Sequence, residues 1–267
     1  MKELTDQELL RYHRQINLRS VDIDGQTALK NACVLIVGLG GLGCAAAQYL
    51  TTAGVGQLTL VDGDTVDVSN LQRQVLHHDA RIGMNKAESA RQTLAVLNPN
   101  CQFEVIPRYL DESSVLSLVA AHGLVLDCSD NLDTRNLLNL TCFQQKTPLV
   151  SGAAIRFEGQ VSVFRWLQDE PCYHCFSQFF SNSSSANQGQ SCVEAGVLAP
   201  IVGVVGCLQA MEALKLLTNA GIPMSGQLLL IDGLSGQFRS MKLKKNSSCA
   251  VCGDGARTNS YSEIDTP

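Results

Sequence analysis

The fold is decided by the stretch Val34-Leu-Ile-Val-Gly-Leu-Gly-Gly-Leu-Gly-Cys-Ala-Ala-Ala-Gln-Tyr-Leu50. Its apolar first half predicts a buried strand, and its alanine-rich second half predicts a helix. Between them, Gly38, Gly40 and Gly43 form the pattern G-x-G-x-x-G, with Gly41 beside them. In nucleotide-binding turns these glycines allow a tight turn, a close approach of phosphate to the backbone, and close packing of the helix on the strand. We therefore predict a nucleotide site at the start of this helix.

A second apolar run, residues 58–62, ends in the acidic residue Asp62. The acid follows Gly43 by about 20 residues, which is the spacing expected for a carboxylate that binds a ribose. The glycine pattern and Asp62 by themselves would also suit an NAD-dependent oxidoreductase. That enzyme class is the first alternative to an ATP-dependent activity.

The rest of the chain continues the alternation of strands and helices. Apolar runs at 103–107, 124–127 and 148–153 predict strands, and periodic segments at 85–98, 112–121 and 135–143 predict helices. Beyond Ser151, the runs at 160–166, 227–232 and 239–243 indicate antiparallel strands. We predict an α/β fold with a Rossmann-like nucleotide-binding sheet, parallel in its first half and extended by antiparallel strands.

The predicted domain organisation follows from the change from parallel to antiparallel strand patterns beyond Ser151. We predict a single domain over residues 1–253, with a nucleotide-binding half at about 32–150 and a second half at about 151–253. The polar tail 254–267 is expected to be disordered, and the low-complexity tract 181–190 is expected to be a mobile loop.

Composition and charge narrow the functional classes. The 267 residues carry a net charge of −5, and the basic residues are scattered, which argues against a nucleic-acid-binding surface. The N-terminus lacks an apolar signal segment, and the longest apolar runs, 32–47 and 197–208, are shorter than the ~20 residues that a membrane-spanning helix needs. We expect a soluble, cytoplasmic protein.

The 11 cysteines fall into three groups. Two C-x-x-C pairs, Cys172 with Cys175 and Cys249 with Cys252, suit a tetrahedral zinc ion, although one pair alone could be a redox motif. Cys192 follows the polar tract, where its thiol either reaches a substrate or is an inert loop residue. The remaining six lie in apolar segments and are interpreted as small buried hydrophobic residues: Cys33, Cys44, Cys101, Cys128, Cys142 and Cys207.

Cations and carboxylates near the predicted strand ends indicate one class of reaction. Arg14, Arg73 and Lys86 could bind phosphates, and Asp130, after the strand 124–127, could bind Mg²⁺ or cap the next helix. Such an inventory fits the attack of a carboxylate on the α-phosphate of ATP. A C-terminal carboxylate, with a pKa of about 3.5, needs no general base at neutral pH.

These motifs, taken together, resemble the HesA/MoeB/ThiF superfamily, which is related to ubiquitin-activating enzymes. The resemblance covers nearly the whole chain. It rests on Arg14, the glycine turn Gly38–Gly43, Asp62-Gly-Asp64, Ser69-Asn-Leu-Gln-Arg73, Lys86, Asp130-Asn131 and the two C-x-x-C pairs. Within the superfamily, Ser151-Gly-Ala-Ala-Ile-Arg156, Glu170–Cys175 and Cys192–Gly196 look most like the branch that serves molybdenum cofactor biosynthesis.

The resemblance implies an adenylyltransferase. Such an enzyme would use ATP and Mg²⁺ to adenylate the C-terminal glycine of a small ubiquitin-like sulfur-carrier protein ending in Gly-Gly, with release of pyrophosphate. It implies a separate sulfur donor and a homodimer. The thiamin thiazole branch is the alternative within the superfamily.

The resemblance also implies roles for individual residues. Asp62 would bind the ribose, and Asp64 and Asn131 would also bind the nucleotide. Asp130 would bind Mg²⁺, and Arg14 would reach the γ-phosphate from the partner subunit. Cys192 matches a position that in some relatives bonds covalently to the carrier, whereas others work without it. Four residues would bind the triphosphate, namely Ser69, Asn70, Arg73 and Lys86, and four would hold structural zinc, namely Cys172, Cys175, Cys249 and Cys252.

Overall fold

The computed structural model describes residues 2–182 and 195–256. The strands in these ranges are β1 (Cys33–Val37), β2 (Gln57–Val61), β3 (Gln102–Ile106), β4 (Leu124–Asp127), β5 (Leu149–Ile155), β6 (Glu158–Phe164), β7 (Gln227–Asp232) and β8 (Gln237–Lys242). The helices are α1 (Asp6–Ile16), α2 (Asp22–Asn31), α3 (Gly41–Ala53), α4 (Lys86–Leu97), α5 (Glu112–Ala120), α6 (Leu132–Gln145), α7 (Tyr173–Asn182) and α8 (Ala199–Thr218). Short 3₁₀ turns lie at Val68–Asn70 and Asp79–Arg81.

All eight strands form one sheet in the order β3-β2-β1-β4-β5-β6-β7-β8. The pairs from β3 through β5 are parallel, and the pairs from β5 through β8 are antiparallel. The predicted fold class is therefore confirmed. The strand order reverses between β1 and β4, which is where open α/β sheets bind their ligands.

Two helical layers cover the sheet and explain its apolar runs. Val34 and Ile36 pack into a core with α3, α4 and α8, whereas Leu35 and Val37 pack into a second core with α5 and α6. A strand that is buried on both faces has no polar alternation, because both sets of side chains leave water. This burial is why β1 reads as a continuous apolar run.

The N-terminal helix begins with a capping box, for which Thr5-Asp-Gln-Glu8 is the sequence signature. Thr5 accepts a hydrogen bond from the backbone N–H of Glu8, and the Glu8 carboxylate accepts one from the backbone N–H of Thr5. This reciprocal capping box satisfies two backbone donors that a helix start otherwise leaves unpaired. Lys30 of α2 lies 2.6 Å from the same carboxylate and joins α1 to α2.

Helix α8, at Ala199–Thr218, begins within the apolar run 197–208 and continues beyond it. Its 20 residues are apolar enough to cross a membrane by length and composition alone, and 44% of the relevant window is buried inside the protein. Helix α3 and strand β5 pack against it, and it contributes Val205, Ala210 and Ala213 to the core. These contacts are those of a central core helix.

Three segments of interest lie wholly or largely outside the described residues. They are most of the polar tract 181–190, Cys192, and all but the first residues of the tail 254–267. The predictions made for them stay predictions.

Candidate active site

A cavity of about 1040 Å³ opens at the carboxyl ends of β1 and β4. Gly38, Asp62, Arg73, Lys86 and Asp130 all line it, so the fold brings together residues that are far apart in the sequence. Gly40, Gly41, Asp64 and Asn131 line it as well. The cavity continues past Ala153, Ala154 and Ile155 of β5 towards Leu230 and Ile231 of β7.

The glycine turn joins β1 to α3 with little space for side chains. Gly38 has a φ of +91°, and a Cβ there would lie 2.7 Å from the carbonyl oxygen of Cys128. A Cβ on Gly43 would lie 1.9 Å from the carbonyl oxygen of Gly38. The first and third glycines therefore permit the turn and the close helix packing. Because Gly40 precedes α3 and has no side chain to cap it, the first amide groups of the helix remain available to an anion.

Asp62 is held against the glycine turn by backbone donors. The N–H of Leu39 donates to its Oδ2 at 2.7 Å, and the N–H of Asp64 donates to its Oδ1 at 2.8 Å. Burial raises the pKa of Asp62, although these two donors and the charge of Lys86 oppose the shift. The side chain of Asp62 is thus oriented before a ligand arrives.

Lys86 begins α4 and is only 7% exposed. Its ammonium lies 2.7 Å from Oδ2 of Asp64, whose other oxygen accepts a hydrogen bond from Tyr109. Partial burial raises the pKa of Asp64, but the bonds from Lys86 and Tyr109 outweigh that effect and lower it. The hydrogen bond to Asp64 in turn raises the pKa of Tyr109 to about 12. Asp64 is therefore an anion that offsets the unfavourable position of Lys86 at a helix N-terminus.

Ser69 and Asn70 build the turn that presents Arg73. The Ser69 hydroxyl donates to Asp67 at 2.6 Å, and Asn70 accepts from the backbone N–H of Asp67. The guanidinium of Arg73 donates to the carbonyl oxygen of Ser69 at 3.1 Å and lines the cavity. The two small polar side chains are thus engaged with Asp67, and Arg73 is the member of the group that faces the cavity.

Asp130 and Asn131 follow β4 directly. Asn131, and not Asp130, is the N-cap of α6, because its side chain accepts from the backbone N–H of Thr134. The alternative interpretation of Asp130 as a helix cap was therefore wrong by one residue. Asp130 is exposed and lines the cavity, where its carboxylate is available to a cation.

A buried polar network that the sequence analysis missed stabilises the carboxyl end of β4, three residues before Asp130. Asp127, only 1% exposed, accepts bonds from the hydroxyls of Ser129 and Ser151 at 2.6 and 2.8 Å. Arg135 lies 3.6 Å from the same carboxylate and donates to the carbonyl oxygens of Ser129 and Gly152. The available sequence signal was an acidic residue at the end of an apolar strand, but its partners lie in the following loop, on β5 and on α6.

Gln74 is a second cavity residue that the sequence analysis missed. It is 3% exposed and lines the cavity beside Gly40. Its Oε1 atom is buried without a hydrogen-bond partner among the residues that the structure describes. Buried polar atoms normally have partners, so an unsatisfied one in a cavity wall indicates a ligand or water contact.

Arg14 lies apart from these residues. It is exposed on α1 and is absent from the described residues that line the cavity. Its predicted route to the nucleotide through a partner subunit stays a prediction.

The two C-x-x-C pairs converge at the start of α7 and after β8. The four sulfur atoms lie within 4.8 Å of one another, and all four residues are buried. The separations Cys172–Cys175, Cys172–Cys249 and Cys175–Cys252 are 3.8, 3.6 and 3.3 Å. A tetrahedral zinc ion with Zn–S bonds of about 2.3 Å would place sulfurs about 3.8 Å apart.

The surroundings of the four sulfurs also suit a bound cation. Backbone N–H groups of Asn246 and Val251 donate to Cys175 and Cys249, which favours the thiolate form that binds metal. The donor set fits zinc, and four protein ligands would leave no open position for catalysis. Among the described residues, His174 is not part of this metal-binding group.

The other cysteines divide by burial. Cys44, Cys101, Cys128 and Cys142 are buried, and burial raises the pKa of Cys44 and Cys101 to about 12. Cys33 and Cys207 are half-buried. The interpretation as packing residues holds fully for the first four.

Known proteins share both this fold and much of this sequence. Molybdopterin-synthase adenylyltransferase of Salmonella typhimurium is 57% identical over 253 residues, which are 95% of this chain and 100% of that protein. The protein of that name from Escherichia coli is 56% identical with the same coverage. Adenylyltransferase and sulfurtransferase MOCS3 of Drosophila virilis is 45% identical over 250 residues, 93% of this chain but 55% of that protein.

Solved structures show the same architecture. The structure titled E. coli MccB + ATP matches with a TM-score of 0.73 at 23% identity, covering 86% of this chain and 69% of that one. The structure titled SeMet PaaA matches with a TM-score of 0.73 at 25% identity, covering 92% and 76%. In addition, residues 12–251 match the ThiF family. With a cavity at the switch point of its sheet and this similarity over nearly its whole length, the chain belongs to the ThiF family.

Proposed function

We propose that this chain is an ATP-dependent adenylyltransferase acting on the C-terminal glycine of a small ubiquitin-like sulfur carrier in molybdenum cofactor biosynthesis. The observation that carries the proposal is the single cavity in which Asp62, Arg73, Lys86 and Asp130 meet beside the glycine turn. The names of its relatives, molybdopterin-synthase adenylyltransferase at 54–57% identity, support the same activity and carrier.

The reaction depends on the positioning of the carrier carboxylate and ATP more than on proton transfer. A carboxylate oxygen of the carrier attacks the α-phosphorus of ATP, the bond from that phosphorus to the bridging β-phosphate oxygen breaks, and pyrophosphate leaves with the electron pair. The products are an acyl-adenylate and pyrophosphate. Because two anions must approach each other, fixed positive charge and alignment supply most of the acceleration.

Each cavity residue has a place in this reaction. Asp62 binds the ribose, Arg73 and Lys86 bind the triphosphate, and Asp130 binds the Mg²⁺ that enters with ATP. When ATP binds, Lys86 exchanges part of its contact with Asp64 for a phosphate oxygen. Ser69 and Asn70 contribute through the turn that carries Arg73. Arg14 reaches the γ-phosphate from the partner subunit of a homodimer.

The outer part of the cavity suits the carrier. Ala153 and Ala154 of β5, with Leu230 and Ile231 of β7, form a wall of small and apolar side chains that leads towards the nucleotide residues. An extended tail ending in Gly-Gly is narrow enough to lie along such a wall. A cytoplasmic location, a separate sulfur donor and a structural zinc ion in the four-cysteine cluster complete the proposal.

The decisive experiment is ATP–pyrophosphate exchange with purified carriers. Exchange with an intact molybdopterin-type carrier, and none with the same carrier lacking its terminal glycine, is the expected result. Exchange with a thiamin-type carrier alone would move the chain to the other branch. If NADH protected the protein in thermal melts while Mg-ATP did not, an oxidoreductase would replace the adenylyltransferase.

Arg73 provides a sharper form of the test. Arg73→Ala should lower exchange by about a hundredfold or more, because a preorganised cation is lost from the transition state. Arg91→Ala is the matched control, since Arg91 is bonded to Glu88 on the surface of α4. Near-normal exchange in Arg73→Ala would contradict the role assigned to Arg73.

A further inference from the structure

His77 is a buried polar residue for which the proposed reaction has no use. It lies between the two 3₁₀ turns that precede α4 and is 6% exposed. Its Nε2 atom lies 3.0 Å from the carbonyl oxygen of Leu39, and its Nδ1 atom lies 2.9 Å from the hydroxyl of Ser89. Both ring nitrogens are therefore hydrogen-bonded inside the protein.

The chemistry of these partners defines the tautomer. A carbonyl oxygen can only accept, so Nε2 carries the proton and donates to Leu39. Nδ1 is then the acceptor, and the Ser89 hydroxyl donates to it. Burial also lowers the pKa of His77, which favours this neutral form. The ring is thus a neutral bridge with a defined donor end and a defined acceptor end.

Each end of the bridge reaches an element that carries a nucleotide-site residue. The Leu39 residue that His77 holds by its carbonyl also donates its N–H to Asp62, at 2.7 Å. Ser89 lies one turn after Lys86 on α4, so it shares that helix face. A rigid imidazole therefore connects the glycine turn, and through it Asp62, to the helix that presents Lys86.

We propose that His77 is a positioning residue that sets the spacing between the ribose-binding carboxylate of Asp62 and the phosphate-binding ammonium of Lys86. This inference rests on the proposed function, because it assigns both residues to ATP. His77 itself touches no reacting atom. Its contribution is to hold the two anchors of one ligand at a constant separation before that ligand binds, which lowers the ordering cost of binding.

The neighbouring thiol does not offer a competing role. Cys44 lies 3.7 Å from Nε2 of His77, but its S–H group is also 3.3 Å from the carbonyl oxygen of Leu39. Burial raises the pKa of Cys44 to about 12, so it stays a thiol at neutral pH. A cysteine–histidine nucleophile would need a thiolate and access to substrate.

Two conservative substitutions separate the ends of the bridge. In His77→Gln, the side-chain amide can place a donor near the former Nε2 position and keep the bond to Leu39. In His77→Asn, the shorter amide reaches only the former Nδ1 position and keeps the bond to Ser89. Ser89→Ala removes the hydrogen bond between Ser89 and Nδ1 of His77 with a smaller change in side-chain volume. It replaces the histidine variants in the test if they fold poorly.

A second buried histidine supplies the matched control. His122, 8% exposed, donates from Nδ1 to the carbonyl oxygen of Leu118 at 2.7 Å, and its Nε2 atom lies 2.7 Å from the hydroxyl oxygen of Thr59. It bridges α5 to β2 and is absent from the described residues that line the cavity. The corresponding His122 variants should therefore lower stability without a selective effect on ATP.

The experiment measures ATP binding and exchange together. We expect His77→Asn and His77→Gln, each of which keeps only one end of the bridge, to raise the KM for ATP by about tenfold with little change in the KM for the carrier. The increase in Tm on adding Mg-ATP, measured without carrier, should shrink in His77→Asn and in Ser89→Ala. The His122 variants should keep the wild-type increase.

Two results would count against the proposal in distinguishable ways. If His77→Asn bound ATP as tightly as the wild type, or if the His77 and His122 variants lost ATP affinity equally, the positioning role would be wrong while the adenylyltransferase assignment stood. If the wild-type protein itself showed no increase in Tm with Mg-ATP, the proposed function would fail at its first requirement.

Discussion

The ammonium of Lys86 lies 2.7 Å from Oδ2 of Asp64 in a wall of the cavity at the strand ends. The lysine is almost fully buried, whereas about half of the aspartate side chain is exposed. Burial and the bond to Asp64 hold the ammonium of Lys86 in place, while the part of it that faces the cavity stays open to a further anion. Under the proposed function, a phosphate would approach a lysine that is already ordered.

Replacing the lysine should separate catalysis from folding. Lys86→Met keeps much of the apolar stem and removes the charge, and we expect ATP–pyrophosphate exchange to fall by about a hundredfold or more. Lys30→Met is the control, because Lys30 pairs with Glu8 of α1 and neither residue is among the described residues that line the cavity. If exchange persisted in Lys86→Met and fell in Lys30→Met, the phosphate-binding role assigned to Lys86 would be wrong.

Asp64 should make stability depend on pH. Its folded pKa is lowered, chiefly by Lys86 and Tyr109 acting against partial burial, so its contribution is present above the unfolded value and lost as pH falls through the folded value. We expect Asp64→Asn to have a lower Tm than the wild type at pH 7. The difference should begin to shrink below about pH 4, near the unfolded pKa, and close as the pH falls through the lower folded value. Thermal melts from pH 3 to 8 test this, and a gap that widened in acid would contradict it.

Gln74 is expected to contribute to ATP binding without contributing to the stability of the fold. Its Oε1 atom lacks a partner among the described residues, so Gln74→Leu should leave Tm unchanged or raise it, while the KM for ATP increases. Gln209→Leu is the matched control, because Gln209 donates to the carbonyl oxygens of Asp127 and Val150. Its loss should destabilise the protein by about 1–3 kcal/mol. Unchanged ATP kinetics in Gln74→Leu would remove Gln74 from the ligand contacts.

The four-cysteine cluster should hold one zinc ion per chain. Cys252→Ser is expected to lose the metal and to lower Tm, because a structural zinc site contributes its binding energy to folding. Cys142→Ala is the control, since Cys142 is buried in α6 outside the cluster. Elemental analysis of freshly purified protein decides the point. A wild-type protein without zinc, or equal metal content in both variants, would contradict the prediction.

Local chemistry in the sequence determined the elements and the anchors of the site. The apolar run before Gly38 predicted a buried strand, and the capping-box pattern of Thr5 and Glu8 predicted the start of a helix. Gly38 and Gly43 were predictable because a positive φ and a close backbone contact exclude other residues. Each C-x-x-C pair was likewise readable because its spacing is local, whereas the meeting of the two pairs was decided by the fold.

Only the tertiary structure decided which distant groups meet. The bridge from Leu39 through His77 to Ser89, the network around Asp127 and the unsatisfied oxygen of Gln74 have no signature in local spacing. Their partners come from strands and helices that the sheet order β3-β2-β1-β4-β5 brings together. Hydrogen bonds depend on distances of about 3 Å. Such distances are set by how whole elements pack, which sequence periodicity does not encode.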